Sequence, residues 1–211
     1  MIRLPGAACL ALVLGAVLAW PVVSAAGPSE IVIVEPGPGD NSFSPATVSD
    51  DVGTGQISWQ WGPDGTTNAK HNVRQDDQLF DSGQPAKSDS LAITPSAGGF
   101  HYVCDLHAGM EGAVNVAPVR INEPAGPDGS FRVAWAVDGS DTGNRYDVRF
   151  RINGGSWRTW KSDTSRVRGR FGKNGNPVTV KAGKTYEFEA RSERAGTSLR
   201  SDWSPLLTVN P

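Results

Sequence analysis

Phe100-His101-Tyr102-Val103-Cys104-Asp105-Leu106-His107-Ala108-Gly109-Met110 is the stretch that decides how this 211-residue chain is read. Its first five residues alternate, so Phe100, Tyr102 and Cys104 share one face of an extended strand that carries the thiol inward. Cys, His and Met then fall within seven residues, close enough for one loop to wrap a single metal with a thiolate, an imidazole and a weak thioether. A second imidazole must come from elsewhere. Of the three histidines, His71 is the natural source, because it opens the apolar run His71-Asn72-Val73 in a loop after the strand around Trp59. His101 sits on the strand face opposite Cys104 and reads as a solvated surface residue.

The donor set selects the metal. One soft thiolate, two imidazoles and a distant thioether make the trigonal set of blue-copper electron-transfer sites, whereas structural zinc asks for four strong ligands in a tetrahedron. Met110 therefore argues for copper, one ion per chain. A thiol outside a disulfide also needs such a reason. The chain opens with Arg3, an apolar run over residues 7–23 and the small-residue site Val23-Ser24-Ala25, which reads as a secretory signal covering residues 1–25. Cys9 lies ahead of most of that run, not after it where a lipid-modified Cys belongs. The run is marginal for a membrane span of roughly 20 residues, and a cleavage site follows it. Cleavage leaves Cys104 alone in an oxidising compartment, periplasmic or extracellular, in a chain without a membrane span.

Outside the leader the sequence is a succession of short β-like runs between Gly, Pro, Asp and Ser clusters, with no sustained helical period and no internal repeat. In the first half these cover residues 31–35, 56–61, 90–94 and 100–104. Three prolines within residues 117–127 and the turn Pro127-Asp128-Gly129 place a boundary near Ala117 or Pro118. The second half continues with runs at 131–137, 146–152, 157–161, 177–180, 185–190 and 206–209, and Asn153-Gly154 makes a tight hairpin turn. Charge divides at the same point. Residues 26–117 hold 3 basic and 12 acidic side chains, and residues 118–211 hold 16 basic and 10 acidic, so a formal net charge of −2 conceals about −9 beside +6.

On these residues the first half resembles the plastocyanin and azurin family of cupredoxins, with a Cys-x2-His-x2-Met loop as short as that of the amicyanins. The resemblance covers residues 42–116 through Phe43-Ser44-Pro45, Gly55-Gln56-Ile57-Ser58-Trp59, His71-Asn72-Val73, the strand from Gly99 to Cys104 and the loop ending Met110-Glu111-Gly112. It implies a Greek-key β-sandwich over residues 26–117. It also implies His71, Cys104 and His107 as equatorial copper ligands and Met110 as the axial one, with Asn72 supporting the Cys sulfur and tying the ligand loops together. Residues 118–211 resemble a fibronectin type III, immunoglobulin-like β-sandwich, through Trp135, the hairpin at Gly154, Tyr186-Glu187-Phe188-Glu189-Ala190-Arg191 and Ser201-Asp202-Trp203-Ser204-Pro205. Tyr186 would fill the tyrosine corner and Trp135 the core.

The all-β chain is thus expected to be a one-electron carrier exchanging with redox partner proteins, and not an enzyme. No Ser, His and acid arrangement supports hydrolysis, and a filled coordination shell leaves the metal no position for substrate. A copper-delivery protein and a surface adhesion protein with a structural first half are the alternatives. Arg166, Arg168 and Arg170, if extended, form a basic stripe for an anionic cell-surface polymer, the acidic first half or an acidic redox partner, or a plain solvated face. Nucleic acid is a poor partner, for no stacking aromatics interleave with the basic residues.

Overall fold

The structure, a computed structural model, describes residues 29–35, 41–62, 68–121 and 129–211. The expected leader with its cleavage site, and Pro127-Asp128 of the expected boundary turn, lie outside the described residues. No described helix is long and apolar enough to cross a membrane.

The strands before residue 118 are β1 (Ser29–Val34), β2 (Ser42–Ser44), β3 (Thr47–Asp51), β4 (Ile57–Trp61), β5 (Arg74–Gln75), β6 (Asp89–Ile93), β7 (Gly98–Val103) and β8 (Glu111–Ala117). They form two four-stranded sheets, ordered β2-β1-β4-β6 and β3-β8-β7-β5. Two pairings are parallel, β1 with β4 and β3 with β8, and the others are antiparallel. Alternation creates the core between the sheets: Ile57, Trp59 and Trp61 of β4 turn inward, and Gly112, Val114 and Val116 of β8 do the same. Tyr102 is the hub, edge-on to Phe43 at 4.8 Å and to Trp59 at 5.2 Å between ring centroids.

The second sandwich is built from β9 (Val119–Ile121), β10 (Phe131–Ala134), β11 (Arg145–Ile152), β12 (Arg158–Thr164), β13 (Arg168–Phe171), β14 (Tyr186–Glu193) and β15 (Leu207–Val209). A three-stranded sheet ordered β13-β10-β9 faces a four-stranded one ordered β12-β11-β14-β15. Trp135 is fully buried and its indole N–H donates to Arg166 O at 2.5 Å. The Tyr186 hydroxyl accepts the Lys181 N–H at 2.9 Å, five residues upstream, which is the corner expected of it. Asn153 and Gly154, at φ 50° and 70°, make the turn after β11, closed by the Gly155 N–H to Ile152 O bond.

Two expectations for this half need correction. Residues 177–180 form no strand. Pro177 has no N–H to give a ladder, β13 occupies the place beside β10, and buried Val180 instead packs beside Gly172. The three arginines do not share one strand: Arg166 precedes β13, its carbonyl accepting from Trp135, and Arg168 and Arg170 alternate along the strand. Arg170 also reaches Ser130 Oγ at 3.4 Å.

The sandwiches are joined through the start of β7. Its partner β5 reaches only Val103 and Tyr102, so the edge at Gly98 and Gly99 is covered instead by the second sandwich. Gly99 and Asp202 exchange both backbone hydrogen bonds, at 3.1 and 2.9 Å, and the Ala97 N–H donates to Trp135 O at 2.7 Å. Covering a bare strand edge removes a site for unwanted pairing. Gly98 is required there, since a Cβ would stand 2.4 Å from Ser201 Oγ. Beside it lie Ser96, Thr142 and Ser192, all fully buried.

Candidate metal centre

β7 ends at Val103, and Cys104 enters the ligand loop with its thiol still on the inward face. The loop closes on itself: the Cys104 N–H donates to Met110 O at 3.0 Å and the Met110 N–H to His107 O at 3.1 Å, while Gly109 takes the left-handed φ of 81° that the tight return needs. β8 begins immediately afterwards at Glu111. The short loop is therefore anchored at both ends in one antiparallel pair, β7 with β8.

The second imidazole arrives on a different segment. His71 follows β4 and is pinned by a two-way backbone exchange with Ala86, at 2.8 and 2.9 Å. This brings His71 Nδ1 to 3.9 Å from Cys104 Sγ, while His107 Nδ1 lies 3.4 Å from the same sulfur. The ligating atoms of His71, Cys104 and His107 all lie within 4.8 Å of one another, the metal-ligand cluster found among the described residues. The imidazole rings stand 4.6 Å apart between centroids. Met110, in the same loop, is 1% exposed.

Burial, first of all, holds His107 below the ordinary imidazole range, so the ring favours the neutral form that ligates a metal. His71 is fully enclosed, whereas His107 is partly exposed and Leu106 beside it is 56% exposed. The cluster is thus shielded except at the His107 edge.

Asn72 is hydrogen-bonded to the residue after Cys104. Its Oδ1 accepts the Asp105 N–H at 2.9 Å, and its Nδ2 donates to Asp105 Oδ2 at 2.8 Å and to Gly83 O at 3.1 Å. Asp105 is held below the usual carboxylate range, first by Asn72 and then by Arg74, whose Nε lies 2.7 Å from Asp105 Oδ1. His101 is partly exposed and apart from the cluster, but it is not simply solvated: Asp76 flanks it at 2.8 Å and Glu111 at 3.4 Å.

One residue of the centre was missed in the sequence. Glu35, 36 positions before His71, places Oε1 2.7 Å from His71 Nε2. It also accepts the N–H groups of Asn68 at 2.7 Å and Ala69 at 3.1 Å. The Asn68 N–H first, and His71 next, pull the Glu35 carboxyl down to about 2. No spacing rule points to it, because the contact is made only when β1 lies parallel to β4.

No family model matches the chain, and no curated protein matches it. Among solved structures, a proline-to-glycine variant of amicyanin in its reduced Cu(I) form aligns with 43% of this chain and 83% of its own, at 23% identity and a TM-score of 0.32. The FN1–FN3 domains of chicken CNTN1 align with 87% of this chain and 68% of theirs, at 7% identity and a TM-score of 0.29. Two four-stranded sheets carry a His-Cys-His cluster at one end, and a three-on-four sandwich follows with its tyrosine corner in place. The architecture is two consecutive β-sandwiches, cupredoxin-like in the sheets and ligand cluster of the first and fibronectin type III-like in the sheet order and tyrosine corner of the second.

The first sandwich presents the His-Cys-His cluster at the end of β7 away from the second sandwich. From Gly99 to Cys104 is five extended residues, about 17 Å, and the His107 edge is left partly exposed. The donor set fits copper: one thiolate and two imidazoles converge, a thioether residue is buried in the same loop, and no fourth strong ligand completes a zinc tetrahedron among the described residues.

Proposed function

We propose that the chain is a one-electron carrier that works outside the cytoplasm, exported by the leader at residues 1–25, with one type 1 copper held by His71, Cys104 and His107 and tuned by Met110. The observation that carries this reading is the convergence of Cys104 Sγ with the two Nδ1 atoms inside a shielded sandwich end. Copper there would supply a one-electron couple between its two oxidation states. The chain's own residues supply rigidity: Asn72 bonds one ligand segment to the other, Ala86 pins His71, and β7 and β8 clamp the loop of Cys104, His107 and Met110. A frame that moves little between oxidation states keeps the reorganisation of each transfer small. We read a carrier and not an enzyme, since four donors leave no open position for substrate. Donor and acceptor proteins would dock on the partly exposed His107 edge, with Leu106 as its apolar contact.

Copper(II) titration of the purified protein tests this, with absorption and electron paramagnetic resonance as readouts and Cys104→Ala as control. An intense thiolate-to-copper band at one equivalent with narrow hyperfine splitting, absent in the control, is the expected result. Copper binding without that signature, or equal binding by Cys104→Ala, would end the carrier reading and move copper delivery ahead.

A further inference from the structure

Resting on the copper reading above, we propose that Glu35 is a positioning residue for the centre, fixing the His71 tautomer and setting the preference for oxidised over reduced copper. His71 Nδ1 faces Cys104 Sγ, so Nδ1 is the ligating nitrogen and must be bare, and Nε2 must then carry the ring proton. Nε2 is fully enclosed and points at Glu35 Oε1, 2.7 Å away. The carboxylate is oriented by two further donors, the N–H groups of Asn68 and Ala69, so it cannot turn away from the ring.

A hydrogen bond to an ionised acceptor is short and roughly twice as strong as a neutral one, and a carboxylate on the far nitrogen of a ligating imidazole raises the basicity of the near one. Greater donation from Nδ1, with a fixed negative charge behind it, favours the more highly charged copper(II). His107 has no such carboxylate partner among the described contacts, and it is partly exposed where His71 is fully enclosed. The two imidazoles therefore differ in role: His71 is the anchored, electron-rich ligand, and His107 is the edge through which a partner is met.

The experiment compares wild type with Glu35→Gln and Glu35→Asp. Glu35→Gln keeps a hydrogen-bond acceptor and removes the charge; the copper(II)-to-copper(I) affinity ratio is expected to fall at least tenfold, a rise in potential of about 59 mV for one electron. Glu35→Asp retains the charge and is expected to lie between the other two. In metal-free wild type at about pH 8, the ring nitrogen shifts of His71 should report a proton on Nε2 and a bare Nδ1. A blue Glu35→Gln protein with the wild-type potential overturns the proposal and leaves the copper reading standing. A wild type without a type 1 spectrum removes the copper reading itself. Should Glu35→Gln fail to fold, the tautomer in wild type decides: a proton on Nδ1 overturns the assignment.

Discussion

Replacing Thr142 by Val should unfold both halves of this protein more easily, although Thr142 belongs to only one of them. The Ser192 hydroxyl donates to Ala97 O at 3.1 Å, so its oxygen accepts from Ser96 Oγ at 2.6 Å, and Ser96 in turn accepts from Thr142 Oγ1 at 2.7 Å. Thr142 Oγ1 also accepts the Ser96 N–H at 2.9 Å. Every link crosses from one sandwich to the other, and all three hydroxyl residues are 0% exposed. Val matches the shape of Thr, so little cavity arises, but the Ser96 N–H loses its acceptor and Ser96 Oγ its donor where water cannot replace them. One buried group left unpaired costs about 1–3 kcal/mol, and we expect a loss of about 2 kcal/mol. Urea unfolding, followed by the indole N–H signals of Trp59 in the first sandwich and Trp135 in the second, is the assay. Wild type should show one shared transition, and Thr142→Val should lower both midpoints together. The double variant with Ser192→Ala should cost less than the two singles combined, by about 0.5 kcal/mol or more, because one chain of hydroxyls is being cut twice. Separate transitions in wild type, or a Thr142→Val loss below about 0.5 kcal/mol, would refute the coupling.

Burial pushes the Tyr102 phenol up to about 12. An acid with a raised folded value keeps its proton after the unfolded chain has lost it, so stability should decline as pH climbs from about 10 toward about 12. Because the Tyr102 hydroxyl has no hydrogen-bond partner of good geometry among the described residues, Tyr102→Phe should be neutral or up to about 1 kcal/mol stabilising at pH 7 and should flatten that alkaline decline, measured by urea midpoints. Gly112→Ala should cost about 1–3 kcal/mol in the same assay, since its Cβ would stand 2.4 Å from Tyr102 Oη and 2.8 Å from Ala46 O; a change below about 0.5 kcal/mol would show that β8 yields. Met110→Leu should retain copper and raise the potential, by about 59 mV for each tenfold change in the affinity ratio; an unchanged potential would remove Met110 as a tuning ligand.

Much of the centre was legible in the chain because its chemistry is local. Alternation in residues 100–104 places Cys104 inward, and the packing of Cys, His and Met within one loop depends on spacing alone. Asn72 stands next to His71 and shares its loop. The tally of strands was less complete: β5 and β9 are two and three residues long, too short for a period to show, and β8 hides behind the end of the ligand loop. Residues 177–180 show the opposite error, where β-branched residues signal burial and burial is satisfied without pairing.

What the sequence by itself determined is the β-rich character of both halves, the donor types and the ligand loop, since these follow from alternation, turn residues and short-range spacing. What only the tertiary structure decided is the company those residues keep. Glu35 meets His71 because β1 lies parallel to β4, and Ser96, Thr142 and Ser192 meet because the second sandwich covers the edge of β7. Such contacts join residues tens of positions apart, and their partners are chosen by sheet order and by the need to pair every buried polar group, neither of which leaves a local pattern in the chain.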